Sequence, residues 1–245
     1  MGKIAMNEFE RLGARSVPMG RADMAVDAGL RSFMLGVYNK LALGLVISAV
    51  LAYAAAYYPP LRNLIFGTPL YYVVAFSPIV ILLVSSFAMK NPSPTGAGVL
   101  YWSIVTLMGL GLGVVFLAYT GVSVAKTFFI TAASFGFLSL WGYTTKKDLT
   151  GMGSFLIMGV FGLVIASIVN MFLKSGPLDL AISAIGVLIF SGLIAYDTQR
   201  LKRTYYEIGG DARGTAVATN YGALSLYINF INLFMFLLRL LGNRN

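Results

Sequence analysis

Seven long apolar segments separated by polar breaks dominate the hydropathy pattern of the chain. Each is long enough to cross the ~30 Å of bilayer hydrocarbon as a helix, which rises about 1.5 Å per residue. A segment in lipid must satisfy its backbone hydrogen bonds internally, and this favours helices over isolated strands. The pattern therefore predicts an all-α membrane protein with seven transmembrane helices, at residues 34–57, 70–89, 97–119, 124–143, 154–173, 178–196 and 216–241.

The breaks between these spans contain proline, glycine or charged residues. The last break, the polar stretch 197–213, is the longest and is expected to separate the sixth span from the seventh. Residues 1–33 mix acidic and basic side chains and lack the apolar core of a secretory signal peptide. We therefore expect a flexible polar cytosolic tail over residues 1–33 and a seven-helix transmembrane domain over residues 34–245.

The composition supports a membrane protein and excludes the kinds of chemistry that require cysteine or histidine. The 245 residues are 58% hydrophobic and 11% charged, with a mean hydropathy of +0.80, whereas a soluble domain carries about a quarter charged residues. The chain has no cysteine and no histidine, which excludes disulfides, thiol chemistry and metal or haem sites built on those side chains. We expect neither a resident cofactor nor an enzymatic activity.

The distribution of basic residues predicts the orientation. Twelve lysines and arginines lie in the tail and in the loops after spans two, four and six, against three in the other loops, Arg62, Lys126 and Lys174. Cytoplasmic loops carry an excess of Lys and Arg, so the N-terminus is predicted to be cytosolic. The net charge of +9 is spread over loops rather than gathered in one stripe. The bilayer, and not nucleic acid, is therefore the expected partner.

The glycine-rich stretch GLGLG at residues 109–113 lies inside the third span. Backbone amides within a helix are already hydrogen-bonded, which disfavours a phosphate-binding loop here. Gly109 and Gly113 instead form a small-xxx-small pair, which lets a neighbouring helix approach closely. We predict a helix-packing contact at these two glycines.

Polar residues at the end of the sixth span and inside the seventh are the candidate functional residues. Asp197 ends the sixth span, and it is either an interfacial acid solvated beside Arg200 or part of an ion or proton pathway. Ser225, Asn229 and Asn232 recur at spacings of four and three, which places them on one face of a helix. This polar stripe is expected to turn toward other helices, either for interhelical hydrogen bonding alone or as part of an ion pathway.

Two lysines are candidate counter-charges for Asp197. Lys40 lies about two turns inside the first span, and Lys90 closes the second span. The predicted topology places both on the same side of the membrane as Asp197. Ionisable groups inside a membrane mark ion or proton pathways by default, so these three residues are candidates for such a pathway.

Three motifs in the same order resemble the Bax inhibitor-1 (transmembrane BAX inhibitor motif) family, nearest to its bacterial inner-membrane branch: GYTTKKDL at 142–149, AYDTQRLK at 195–202 and ALSLYINFINLFMFLLRLLGNR at 223–244. The resemblance covers the chain from about residue 30 to its end. It implies a central last helix wrapped by the other six and a pH-sensitive calcium leak. It also implies an acid pair formed by the sixth and seventh helices, at Asp197 and Asn229, and a basic latch at Lys90.

The chain departs from this family pattern at Asn229, where the family commonly has an aspartate. Two neighbouring carboxylates cannot both ionise easily and so form a proton sensor, whereas here one of the two is an amide. Calcium prefers several oxygen ligands with formal charge among them, so Asp197 is expected to be a weak calcium ligand. Calcium enters this interpretation only as a transported or transiently bound ion.

Two functions therefore remain open. The first is a pH-influenced cation leak, or ion-homeostasis protein, and the second is a non-transporting regulator of membrane partners such as a membrane-anchored quality-control protease. A retinal protein is disfavoured because no lysine follows Lys202, and an intramembrane Ser–His protease is excluded by the absence of histidine. The expected location is the bacterial inner membrane; the sequence is compatible with a monomer and leaves the oligomeric state open.

Overall fold

The backbone is described for residues 19–88 and 91–245 of the computed structural model, and side chains for residues 28–87 and 91–245. Helices fill almost all of this part of the chain. Numbered in chain order, the described helices are α1 (Met19–Tyr57), α2 (Pro59–Phe66), α3 (Leu70–Ala88), α4 (Pro94–Gly111), α5 (Gly113–Ala118), α6 (Gly121–Thr144), α7 (Thr150–Leu173), α8 (Gly176–Ile208) and α9 (Ala212–Leu241).

The predicted all-α architecture with seven spans is confirmed. Seven helical stretches of the described chain are long and apolar enough to cross a bilayer, with α4 and α5 together forming the third. The short helix α2 lies between the first and second spans. Because successive spans alternate in direction, the bundle has an N-terminal side, where α1 begins, and a C-terminal side, where α9 ends.

Two helices extend beyond the spans predicted from the sequence. Helix α1 begins at Met19, so residues 19–33, assigned to the flexible tail, extend the first helix, and Leu30 and Phe33 are buried. Residues 1–18 of that tail lie outside the described residues. Helix α8 continues past Asp197 to Ile208, so the prediction of a break beginning at residue 197 was wrong.

Side chains of the connecting residues fix where four helices begin. Ser93, Thr120, Ser175 and Asp211 each accept a hydrogen bond from the backbone amide three residues further on, at distances of 3.0, 3.3, 3.4 and 2.6 Å. An N-cap of this kind satisfies one of the amide groups that the first helical turn leaves unpaired. The polar breaks in the sequence are therefore helix start signals as well as interruptions.

Helix α9 is the most buried span, with half of its most apolar window inside the bundle. It packs against α1, α4, α6 and α8, whereas α3 packs mainly on α4, and α7 packs on α8. The expectation that all six other spans wrap the last helix is not confirmed. Helices α3 and α7 are therefore peripheral to the bundle.

Glycines set the closest helix contacts. A Cβ atom placed on Gly109 would lie 2.8 Å from the Cα of Ser48, and one on Gly113 would lie 2.9 Å from the Cβ of Ala55. Both neighbours belong to α1, so the predicted small-xxx-small packing contact is confirmed. The two glycines let the third span lie directly against the first.

Candidate functional site

Close packing of α8 against α9 brings Asp197 to the polar stripe of the last helix. A Cβ atom on Gly222 of α9 would lie 2.4 Å from Leu201 Cδ2 of α8, so the Leu201 side chain packs directly on the glycine. Leu201 lies one turn after Asp197 on α8. The contact therefore holds the carboxylate at the level of Ser225 and Asn229.

The carboxylate of Asp197 is buried, with 4% of its surface exposed, and both of its oxygens have partners. Oδ2 accepts hydrogen bonds from the Ser225 hydroxyl and from the Asn229 Nδ2, the latter at 2.7 Å. Oδ1 lies 2.9 Å from Nη2 of Arg200. The structure thus places Asp197, Ser225 and Asn229 in one cluster, which Arg200 completes.

Arg200 is the counter-charge of Asp197. Its side chain is 44% exposed, its guanidinium lies 5.6 Å from the centre of the Tyr196 ring, and its Nη2 also donates to Ser225 Oγ at 3.3 Å. A buried carboxylate is costly without a paired and hydrogen-bonded partner. Arg200 and the polar stripe together supply that compensation, and the exposed half of the arginine leaves it room to move.

A cavity of about 770 Å³ lies beside this cluster. Asp197, Arg200, Ser225, Asn229 and Asn232 line one wall, and apolar side chains from α3 and α7 line the opposite wall. We call this space the acid cavity. Because α3 packs on α4 and α7 packs on α8, the cavity opens sideways between the two peripheral helices.

Asn232 lines the acid cavity further toward the C-terminal side than Asp197, Ser225 and Asn229. Its Nδ2 donates to the backbone oxygen of Ile228 at 2.8 Å, within its own helix. The predicted stripe of Ser225, Asn229 and Asn232 is therefore a continuous polar face. Its first two members bind Asp197, whereas the third faces the same cavity.

A second cavity, of about 350 Å³, lies toward the C-terminal side of the bundle. It is lined by Ser167, Asn170, Asp179, Arg239 and Arg244 together with two apolar residues, and we call it the arginine cavity. Ser167 lines both cavities. Phe236 of the acid cavity lies against Arg239, 5.5 Å from ring centre to guanidinium carbon, so an aromatic ring separates the polar groups of the two spaces.

Lys40 is not the counter-charge of Asp197, and this prediction was wrong. Its ammonium donates to Asn220 Oδ1 and lies 5.5 and 5.9 Å from the ring centres of Tyr101 and Trp102. The helical register places Lys40 over α4, away from the face of α9 that carries Ser225 and Asn229. Lys90, the other candidate, lies outside the described residues.

Sequence reasoning assigned no role to Asn220 and treated Arg200 only as part of a solvated surface. The i, i+3 spacing of Asp197 and Arg200 on a continuous helix was the available signal for the ion pair. It was overlooked because the helix was predicted to end at residue 196. Asn220 also donates to the carbonyl oxygens of Ala216 and Pro94 at 2.9 and 3.3 Å. It lies off the helix face of Ser225, Asn229 and Asn232, so no pattern in the sequence pointed to it.

The first two motifs form one structural unit. Gln199 of α8 accepts from the amide of Leu149 at 2.9 Å and donates to the carbonyl of Lys147 at 2.7 Å, which fixes the loop between α6 and α7. In that loop the hydroxyl and amide of Thr150 donate to Asp148, and these hydrogen bonds lower the pKa of the exposed Asp148 carboxyl. The motif residues therefore hold the N-terminal end of the bundle together around α8.

Asp197 is the one carboxylate among the described residues that line the acid cavity. Across the described residues, no group of three or more His, Cys, Asp or Glu side chains is placed to hold a metal ion. Asp197 contributes one formal charge, and Ser225, Asn229 and Asn232 contribute neutral oxygens. Affinity at oxygen sites rises with the formal charge of the ligands, and the negative charge of Asp197 is paired here with Arg200.

The sequence is similar to those of known bacterial membrane proteins over its whole transmembrane part. A family model described as "Inhibitor of apoptosis-promoting Bax1" matches residues 30–245. A Caulobacter vibrioides protein named as uncharacterized is 66% identical, with 97% of this chain and 98% of that protein covered. The inner membrane protein YbhL of Escherichia coli K12 is 41% identical, with 91% of this chain and 97% of YbhL covered.

Proposed function

The chain belongs to the Bax inhibitor-1 family of integral membrane proteins, and from that premise we propose that it is a non-enzymatic, pH-influenced cation leak of the bacterial inner membrane. Calcium is the candidate ion. The observation that carries the proposal is the buried carboxylate of Asp197, which faces a cavity lined by the polar stripe of α9. Ionisable groups held inside a membrane bundle typically mark an ion or proton pathway.

The proposed route follows α9 from one side of the bundle to the other. A cation entering from the N-terminal side would meet Asp197 first, then Asn229 and Asn232. It would pass Phe236 and leave through the arginine cavity, which shares Ser167 with the acid cavity. The positive charge of Arg239 and Arg244 at the exit would limit the rate, which fits a slow leak rather than a selective, fast channel.

In this proposal the described conformation is closed. Nη2 of Arg200 lies 2.9 Å from Oδ1 of Asp197, so a cation reaches the carboxylate only when the guanidinium moves away. Arg200 is therefore the latch in this proposal. The influence of pH on the leak is the part of the proposal that rests on the family resemblance.

Removing the latch is expected to raise the leak. We predict that Arg200→Gln increases calcium flux into proteoliposomes by about tenfold, which is the effect of ~1.4 kcal/mol on a closed–open equilibrium. The matched control is Arg203→Gln on the same helix. Arg203 Nη1 contacts Thr150 Oγ1 at 2.5 Å and Asp148 Oδ1 at 3.5 Å, outside the cavity. Equal flux in both variants and in the wild type would contradict the latch.

A regulator of membrane partners is the second candidate function, and the peripheral helices favour it. The apolar window of α7 is 11% buried and that of α3 is 17% buried, the two lowest values among the described spans. Both flank the lateral opening, so a helix of a partner protein has space to pack there. A photo-crosslinker at Phe161, which is 66% exposed on α7, tests this function by capturing a membrane protein in cells.

The proposed orientation places the N-terminal side in the cytosol, on the twelve-to-three distribution of basic residues. A reporter enzyme inserted at Lys146–Lys147 is expected to be cytosolic, and one inserted at Lys174 external. Lys174 follows the end of α7 with a left-handed backbone, φ 49°, so its insertion site lies at a turn rather than in a helix. Exchange of the two locations would invert the proposed direction of entry.

A further inference from the structure

A lipid-facing groove between α1 and α6 is not used by the proposed cation route. Both helices pack on α9, and a cavity of about 750 Å³ lies between them on the N-terminal half of the bundle. A hydrogen bond of 2.7 Å between Tyr38 Oη and Ser139 Oγ forms its floor. We call this space the α1/α6 groove.

The groove opens toward the hydrocarbon and is too large to stay empty. Leu35 and Leu140 on its rims are 50% and 63% exposed, and a Cβ atom on Gly136 would meet no atom within 4 Å. An unfilled space between helices forfeits the dispersion contacts of the atoms that line it. In a bilayer, the molecules present at high concentration to fill such a space are lipids.

Two described cationic side chains lie at the N-terminal end of the groove. Arg31 lines it, and none of the described carboxylates forms an ion pair with its guanidinium. Lys202 reaches the same end, where its ammonium lies 5.2 Å from the centre of the Tyr143 ring and 3.4 Å from the Tyr143 carbonyl oxygen. Arginine binds phosphate oxygens with charge-assisted hydrogen bonds, so this end of the groove complements an anionic headgroup.

A second, mainly apolar cavity touches the same two helices further toward the C-terminal side. This cavity, of about 250 Å³, is lined by Leu45 and Ala52 of α1 and by Val124 and Phe128 of α6, among other apolar residues. Leu45 and Ala52 continue the helix face of Tyr38, seven and fourteen residues further on. From Arg31 to Ala52 the helix rises about 30 Å, which is enough for a full acyl chain.

We propose that the α1/α6 groove binds one anionic phospholipid, with an acyl chain along α1 and α6 and its phosphate at Arg31. The headgroup charge distinguishes this lipid from the general annulus, and the Gly136 gap admits its chain. The site is separate from the acid cavity, so the proposal does not depend on cation transport.

Native mass spectrometry of the protein released from nanodiscs tests the proposal. The nanodiscs contain phosphatidylglycerol and phosphatidylcholine with the same acyl chains. We expect the wild type to retain one phosphatidylglycerol and Gly136→Leu to retain none, because the leucine projects into the groove from a position where a Cβ atom meets no other residue. Gly162→Leu is the matched control, since Gly162 is an exposed glycine in the middle of α7 with equally open space at its Cβ.

The headgroup contact is tested separately with Arg31→Gln. Loss of a charged hydrogen bond to phosphate is expected to reduce the preference for phosphatidylglycerol on the order of tenfold. Unchanged retention in Gly136→Leu, equal loss in Gly162→Leu, or no headgroup preference in the wild type would each overturn the proposal. A stoichiometric membrane protein that replaces the lipid and is lost in Gly136→Leu would assign the groove to a protein partner.

Discussion

Replacing Gly142 with alanine is expected to destabilise the bundle by about 3 kcal/mol, at the upper end of the range for overpacked cores. A Cβ atom on Gly142 would lie 2.2 Å from the backbone oxygen of Ala195. Since the obstacle is backbone rather than the end of a side chain, α6 and α8 must separate. The measurement is the midpoint of thermal unfolding of the purified protein in detergent.

The control for this substitution lies on the same helix. Gly136→Ala places a methyl group where no atom lies within 4 Å, and alanine has the higher helix propensity. Its midpoint is therefore expected to equal or exceed that of the wild type. A Gly142→Ala variant as stable as Gly136→Ala would contradict the close backbone contact and, with it, the view that the first two motifs form one packed unit.

The number of spans was predictable from the sequence because each span is a whole segment of about twenty residues with a high mean hydropathy. The ends of α1 and α8 were not, since charge density alone suggested loops there. On α8, Leu201 is buried despite the charged residues around it, and the Tyr205 ring stacks on Phe33 at 5.5 Å between ring centres. A helix face with only a few apolar residues can extend a helix, but it contributes little to the mean hydropathy of the segment.

The hypothesis that Asp197 and Asn229 face each other came from the family resemblance and the stripe spacing. In the structure, Nδ2 of Asn229 lies 2.7 Å from Oδ2 of Asp197. The choice of counter-charge failed for a different reason. Topology puts Lys40 on the same side as Asp197, but it does not give the rotation of α1, which directs the ammonium to Asn220. Which end of the bundle a residue occupies follows from the order of the spans, whereas which neighbour it faces depends on helix packing.

Replacing Asn229 with aspartate is expected to introduce a strong response to pH and calcium. The substitution exchanges the Nδ2 donor, 2.7 Å from Asp197 Oδ2, for a carboxylate oxygen at nearly constant volume. Two carboxylates at that distance cannot both ionise easily, so the pair takes up one proton as the pH falls through the mildly acidic range. When both are ionised, the added charge strengthens divalent binding in the acid cavity.

Calcium uptake into liposomes at several pH values is the measurement, with wild type, Asn229→Asp and Asp197→Asn compared in parallel. The wild type, with one carboxylate, is expected to respond weakly to both pH and calcium, and Asp197→Asn, with two amides, not at all. Asn232→Asp is the matched control, because Asn232 lines the same cavity but donates to its own helix at Ile228 rather than to Asp197. A response confined to Asn229→Asp assigns the effect to the acid pair, whereas an equal response in Asn232→Asp assigns it to cavity charge alone. Superimposable profiles for all four proteins would make these residues packing groups, and the regulator function would then be favoured.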